Sequence, residues 1–513
     1  MNAAISRPQR FAAIERGIAA WYDAAHDGRA TWILLGLFVV AWTGFHVLAY
    51  ASFDLHPDLV EIFAWSRHPA VGYSKHPPLG SWMAAAWFFV FPVADWSFHL
   101  FTMVNAAIGL FAVDLIARRY VDGDKRLLVL LLLLFTPFYQ FHGQRFGSNQ
   151  VLLSTWPLAT YCFLRAFETR TLLWSAAAGA AAALAMLGKY YSIYLIGGLV
   201  VAALAHPRRF DYLRSASPWI STIAGLVVLA PHLHWLVATG AQPIHYAMSV
   251  HASDPAAEVA RRVVGYVLGA VGYVLLPLVV LALAAHPDHR ALADAAWPAD
   301  PDRRMLVVLL VALLVLPLVT APFFGISLSS LWTIQAWFLF PIVLLSSPLI
   351  VLTRTAAIRV AAVVLATTVL ALAAAPGIAW IRHVDGGKEG RSYYRAVSKE
   401  LTRAWRETMR RPLTIVSGDF DLANAATFYS DDHPDALPVD RLVATAWVTP
   451  ERLAREGFAS VCRAEDQDCI TSATQRTADV RNVVRVTYAV TVPFWGVPSP
   501  PARFVFVLVP PNE

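Results

Sequence analysis

Residues 32–51 read WILLGLFVVAWTGFHVLAYA, and residues 52–79 read SFDLHPDLVEIFAWSRHPAVGYSKHPPL. The first block holds no Asp, Glu, Lys or Arg and has the length a helix needs to cross about 30 Å of hydrocarbon. The second gathers Asp54, Asp58 and Glu61, the cations Arg67 and Lys75, and His56, His68 and His76. A connector between two spans has no need of such a collection, and ionisable groups beside hydrocarbon are costly enough to suggest a use.

Apolar runs recur outward from this stretch. Spans are expected near 31–51, 97–117, 127–141, 148–164, 172–188, 190–205, 218–238, 262–285, 305–321, 332–349 and 357–377, about eleven in all. Residues 79–95 are apolar but interrupted by Pro92 and Asp95, and read as a re-entrant or interfacial helix. The chain is 57% hydrophobic and only 15% charged, against about 25% charge in soluble proteins. An α-helical polytopic membrane protein is the fold class this composition supports. The net charge of +6 is spread over short loops and implies no nucleic acid partner.

Basic residues fall in alternate loops: Arg118, Arg119, Lys125 and Arg126; Arg165 and Arg170; Arg208, Arg209 and Arg214; Arg290, Arg303 and Arg304; Arg354 and Arg359. Cytoplasmic loops collect Lys and Arg, so the N-terminus is expected inside and the loops 52–78, 142–147, 239–260 and 322–331 outside. An odd number of spans puts the C-terminal region outside as well. Residues 1–30 lack a compact apolar core with a cleavage site. Phe11, Ile14, Ile18 and Trp21, with Arg7, Arg10 and Arg16, instead predict an amphipathic helix on the inner membrane surface.

Composition changes after about Pro376. Residues 378–513 read as a soluble α/β domain, with helices over 393–410 and 449–456 and strands over 413–417, 458–462, 483–492 and 503–509. The domains are thus expected at 1–30, 31–377 and 378–513. Cys462 and Cys469 lie close enough in an exported domain to form a disulfide, with two free thiols as the alternative.

A loop that joins carboxylates to Lys75 and His76 can serve group transfer from a phosphate: a carboxylate removes the acceptor's proton, and cations receive the leaving phosphate. Asp58, Trp65-Ser66, Gly72-Tyr73 and His76-Pro77-Pro78-Leu79 follow, without a gap, the first-loop pattern of the integral-membrane glycosyltransferases of family 39 and the aminoarabinose-transferase type, and the loop resembles theirs. The pattern's usual Glu after the leading Asp is here Leu59. Glu61, one helical turn after Asp58, is the candidate substitute, and Asp54 a second. Asn149-Gln150 onward, Leu187-Gly188-Lys189-Tyr190 and Pro231-His232 onward resemble further family segments, though many relatives have Asp at the position of Asn149.

The resemblance implies a GT-C fold and inverting transfer from a polyprenyl-phosphate-linked sugar to a cell-envelope lipid or glycan, on the periplasmic face of a bacterial inner membrane. It implies Asp58 as general base, with Asp54 and Glu61 as further carboxylates. Lys75, His76, Arg145 and Lys189 would receive the donor phosphate, and Tyr73, Asn149, Tyr190 and His232 would bind substrate. Some relatives use a divalent cation; no ligand set in this sequence stands out. A lipid or sugar transporter is the alternative, but it predicts internal repeats and broken helices, and the charge here concentrates at the outer ends of spans. An envelope scaffold leaves the first loop unexplained.

Overall fold

The computed structural model describes residues 9–24, 28–251, 256–385, 393–438, 446–478 and 480–512. Its elements that bear on the site are α1 (Gln9–Asp23), α2 (Arg29–Ala49), α3 (Pro57–Ser66), α4 (Leu79–Val90), α5 (Asp95–Ala117), α6 (Asp124–Leu133), α7 (Ser148–Thr169), α8 (Leu172–Gly188), α9 (Ile193–Ala205), α10 (Ser217–Ala238), α11 (Gln242–His251), α12 (Ala256–Ala285), α13 (Pro301–Phe324) and α14 (Arg354–Val384).

Among the described residues, α2, α5, α10, α12, α13 and α14 are long and apolar enough to cross a membrane. Large apolar side chains stand exposed along them, among them Leu37, Val40, Val237, Leu283 and Leu370. Such a surface is a liability in water and a lipid-facing one in hydrocarbon, so the chain is a multi-pass membrane protein. Internal prolines such as Pro231 and Pro277 are accommodated in these helices, as membrane helices allow. The bundle packs closely: a Cβ on Gly109 of α5 would stand 2.1 Å from the Leu153 carbonyl oxygen of α7.

Two of the expected apolar runs are not single straight helices. The 127–141 run is broken, with α6 and the segment Pro137–Gln144 meeting at 71°. The 332–349 run is no single helix, but turns at Ser330–Thr333 and Trp337–Leu339 and a short helix Phe340–Leu345. Phe338, Leu339 and Ile342 are buried in the protein, so their apolar character serves packing and not lipid contact. Among the described residues six helices are individually long and apolar enough to cross, or seven if the bent pair counts as one. The 172–188 and 190–205 runs form the shorter apolar helices α8 and α9, and 148–164 lies in the 22-residue α7. Residues 79–90 form the twelve-residue α4, after which the chain breaks before α5.

The N-terminal helix forms as expected but packs on the bundle. Tyr22 is buried and donates to the Ala357 carbonyl at 3.0 Å, and Trp21 donates to that of Ala30 at 2.8 Å. Arg7 lies outside the described residues, as do the side chains of Arg10 and Phe11.

The helix α14 continues to Val384, past residue 377. Beyond it come α15 (Tyr394–Met409), α16 (Phe420–Tyr429), α17 (Pro450–Glu456) and α18 (Gln467–Arg476), with strands β1 (Ile415–Gly418), β2 (Asp435–Pro438), β3 (Phe458–Arg463), β4 (Val484–Val490), β5 (Pro493–Phe494), β6 (Val497–Pro498) and β7 (Ala502–Val509). The main sheet has the order β2-β1-β3-β7-β4; β1 runs parallel to β2 and β3, and β7 antiparallel to β3 and β4. Cys462 and Cys469 are joined, with an S–S distance of 2.00 Å.

One apolar core runs from the bundle into this domain through α3. Phe63 makes edge contacts with Phe88 of α4 at 5.1 Å and Phe428 of α16 at 4.9 Å between ring centroids. The loop helix is thus held between bundle and sheet domain.

Candidate active site

The helix α3 begins at a built cap. The His56 ring accepts from the Asp58 backbone N–H at 3.2 Å, Pro57 fills the first turn where no N–H is missed, and Asp58 lies where the helix dipole favours an anion. Asp58 differs from the other two carboxylates in being open: its side chain is 47% exposed, while Asp54 and Glu61 are buried. The chain at Gly147 lies against it, so near that a Cβ there would stand 3.3 Å from Asp58 Oδ2.

The other two carboxylates are buried against cations, whereas Asp58 has the His56 ring 3.5 Å away. Asp54 accepts from the Arg395 backbone N–H at 3.0 Å, and the same guanidinium bridges it to Asp95. Glu61 takes the Lys75 ammonium on both oxygens, at 2.9 and 3.0 Å. Burial alone disfavours the Lys75 charge, but the Glu61 carboxylate outweighs it and pushes Lys75 up to about 12. The ammonium is roofed by the rings of Phe420, 5.0 Å away, and Tyr246. His76 lies beside Trp65 and Tyr246.

Across from Asp58, Lys189 caps the C-terminal end of α8 and donates to Asn149 Oδ1 at 2.7 Å. Its ammonium lies 4.8 Å from the Trp332 ring centroid, a cation–π arrangement; burial lowers its pKa to about 7, with the Asp58 charge working against that. Arg145, half-buried two residues before Gly147, makes no side-chain hydrogen bond or ion pair among the described residues; its backbone N–H donates to His142. Asp58, Asn149 and Lys189 therefore form one neighbourhood beside Gly147, and Arg145 lies two residues before that glycine in sequence.

Tyr190, His232 and Tyr73 shape the loop. The His232 Nδ1–H donates to the Val71 carbonyl at 2.6 Å, which leaves Nε2 to accept from the Tyr190 hydroxyl at 2.9 Å. Gly72 meets the Trp235 ring so closely that a Cβ would stand 2.2 Å from it. Tyr73 stacks on Trp65, with 5.0 Å between centroids, and its hydroxyl meets the loop backbone at Trp65, His68 and Ala70.

The sheet domain reaches the same loop. Asp435 holds His68 and Arg452 at 2.7 Å each, and His68 stacks on Trp447. Gly418, with φ +113° and its Cβ position 2.1 Å from the Val461 carbonyl oxygen, makes the turn out of β1 that only glycine fits. Asp419 then caps α16, accepting from the Leu422 N–H at 3.0 Å, and this brings Phe420 and Asp421 over α3. Sequence reading missed both residues; the available signal was the Gly418-Asp419 turn and cap ahead of an apolar run. Among the described residues no group of three or more His, Cys, Asp or Glu could hold a metal ion. With Glu61 occupied by Lys75, the neighbourhood of Asp58 does not fit a divalent cation.

Residues 75–235 match the family model described as dolichyl-phosphate-mannose-protein mannosyltransferase. No protein of curated function matches the chain in sequence. The fold is similar to that of the crystal structure of ArnT from Cupriavidus metallidurans bound to undecaprenyl phosphate: TM-score 0.60, 17% identity, over 93% of this chain and 98% of that one. It is also similar to the apo state of the same protein, with TM-score 0.57 and 16% identity over 93% and 97% of the two chains. The chain has the GT-C fold.

Proposed function

We propose that this chain is a membrane glycosyltransferase that moves a sugar from a polyprenyl-phosphate-linked donor to a cell-envelope lipid or glycan. The observation that carries the reading is a half-exposed carboxylate, Asp58, whose charge acts on Lys189 of the Lys189–Asn149 pair. That is the pairing of base and phosphate receiver that a one-step displacement requires. The family model over residues 75–235 and the undecaprenyl phosphate bound to the structurally similar ArnT support the choice of donor.

Asp58 takes the proton of the acceptor hydroxyl as its oxygen attacks the anomeric carbon. The bond from that carbon to the phosphate oxygen breaks, and the polyprenyl phosphate leaves with the electron pair. Lys189 and Arg145, with His76 at the rim, receive the negative charge. A single displacement inverts the anomeric centre. Lys75, engaged by Glu61, contributes by fixing α3 and not by holding phosphate. Tyr73, Tyr190 and His232 hold the loop against α10 and keep Asp58 in place.

The alternation of basic loops supports a cytoplasmic N-terminus, with the site and the sheet domain on the periplasmic face of a bacterial inner membrane.

The test is label transfer from a polyprenyl-phosphate sugar to an envelope extract by the reconstituted protein. Asp58→Asn should lower transfer by about 10²–10⁴-fold with donor binding retained; full activity in that variant excludes Asp58 as the base. Lys189→Ala should raise the donor KM at least tenfold, and an unchanged donor KM removes Lys189 from the phosphate site.

A further inference from the structure

The loop pattern leaves one carboxylate missing beside Asp58, and the neighbouring acids are already engaged. Asp54 is held by Arg395, Glu61 by Lys75 and Asp435 by His68 and Arg452. Asp419 caps α16 and faces Arg463 at 3.5 Å. Asp421, in the first turn of α16, is in a different state. Among the described residues its carboxylate has one hydrogen bond, from the Tyr394 hydroxyl to Oδ2 at 3.2 Å. It is half-buried on a helix that packs along α3 and brings Phe420 to within 5.0 Å of the Lys75 ammonium.

We propose that Asp421 is the second carboxylate of the site, and that it binds hydroxyl groups of the sugar being transferred. This rests on the function proposed above and assigns to the sheet domain a direct part in it. A carboxylate accepts hydrogen bonds and repels anions, so its ligand is a neutral group rich in O–H donors. The donor's phosphate therefore points away, toward Lys189 and Arg145, and its sugar toward α16.

Electrostatics agree with this placement. Burial, with the neighbouring Asp419, raises the Asp421 carboxyl above the ordinary range, and Asp58 adds to the effect; Asp421 in turn acts on Glu61. Asp58, Glu61 and Asp421 thus act on one another, with Arg463 opposing the effect at Asp421, and hydroxyl donors from a ligand add no further negative charge.

The experiment compares wild type, Asp421→Ala, Asp421→Asn and Tyr394→Phe in the full-length reconstituted protein. Two quantities are measured: the donor KM in label transfer, and the Kd for undecaprenyl phosphate, which carries no sugar. We expect Asp421→Ala to raise the donor KM at least tenfold, Asp421→Asn to raise it less, and both to bind undecaprenyl phosphate within twofold of wild type. Tyr394→Phe should stay within threefold of wild type in both measurements. An unchanged donor KM in Asp421→Ala overturns the proposal. So does weakened binding of bare undecaprenyl phosphate, or a Tyr394→Phe defect equal to that of Asp421→Ala, since either makes Asp421 a structural partner of Tyr394. Wild-type protein that transfers no label defeats the transferase reading itself, and this proposal with it.

Discussion

Glu61 and Lys75 illustrate how a charged residue beside a site can serve the fold instead of the reaction. Both are largely shielded, and each bonds the other in a space roofed by aromatic rings. Removing Glu61 strands the Lys75 charge, which costs about 3–5 kcal/mol, and removing Lys75 leaves a carboxyl that burial already raises to about 7; removing both restores neutrality. Glu61→Gln and Lys75→Met should each lower the thermal unfolding temperature of the detergent-solubilised protein more than the double variant does. A double variant worse than both singles would show that the pair acts as something other than a neutralised unit. Gly72 makes a steric case at the same scale. Gly72→Ala would drive a methyl group into the Trp235 ring and displace the loop that carries Asp58, so kcat/KM should fall at least tenfold. Trp235→Ala in the same chain should recover part of the loss, and measured kinetics with no recovery would place the strain elsewhere.

At the scale of elements, the junction between the first loop and β2 turns on Asp435. Burial works to raise its carboxyl, but His68 and Arg452 outweigh this and hold it below the usual range. A depressed acid contributes stability above its unfolded value of about 3.9 and loses it as pH falls toward the folded value. The contact should therefore hold at neutral pH and loosen below about pH 4, a change that protease sensitivity of the sheet domain can follow. Asp435→Asn should show the same sensitivity already at pH 7.

Much of this domain was legible in the sequence because its signals are local. The 393–410 periodicity becomes Tyr394–Met409, and the 458–462 run becomes Phe458–Arg463. The helix α16 was not legible: all of Leu422–Tyr429 is buried, so there is no polar face to give a period. The 332–349 run failed for a related reason. Hydropathy registers that a segment avoids water and does not register whether lipid or protein replaces it.

At the scale of the molecule, the motif residues of the bundle were readable as a group because their spacing lies within one loop and the ends of a few helices. What the sheet domain adds was not, since Asp421 and Asp435 meet the loop only after the whole bundle has intervened. The disulfide between Cys462 and Cys469 ties β3 to α18 within that domain. Closing so short a loop is worth about 2–3 kcal/mol in the chain-entropy view. Cys462→Ser with Cys469→Ser should lower the unfolding temperature of the sheet domain by a few degrees and leave the helical content of the bundle unchanged by circular dichroism.

The bond from Arg395 to Asp54 spans 341 positions of chain. A ribosome adds about 5–20 residues per second, so roughly 20–70 s separate the synthesis of the carboxylate from that of its guanidinium. For that interval the first loop exists without the partner that lets Asp54 be buried, and it must remain hydrated. A message cut short between Val384 and Arg395 yields a chain with the helices of the bundle and without this partner for Asp54. Burial of Asp54 is therefore an event late in biogenesis, timed by the final quarter of the chain.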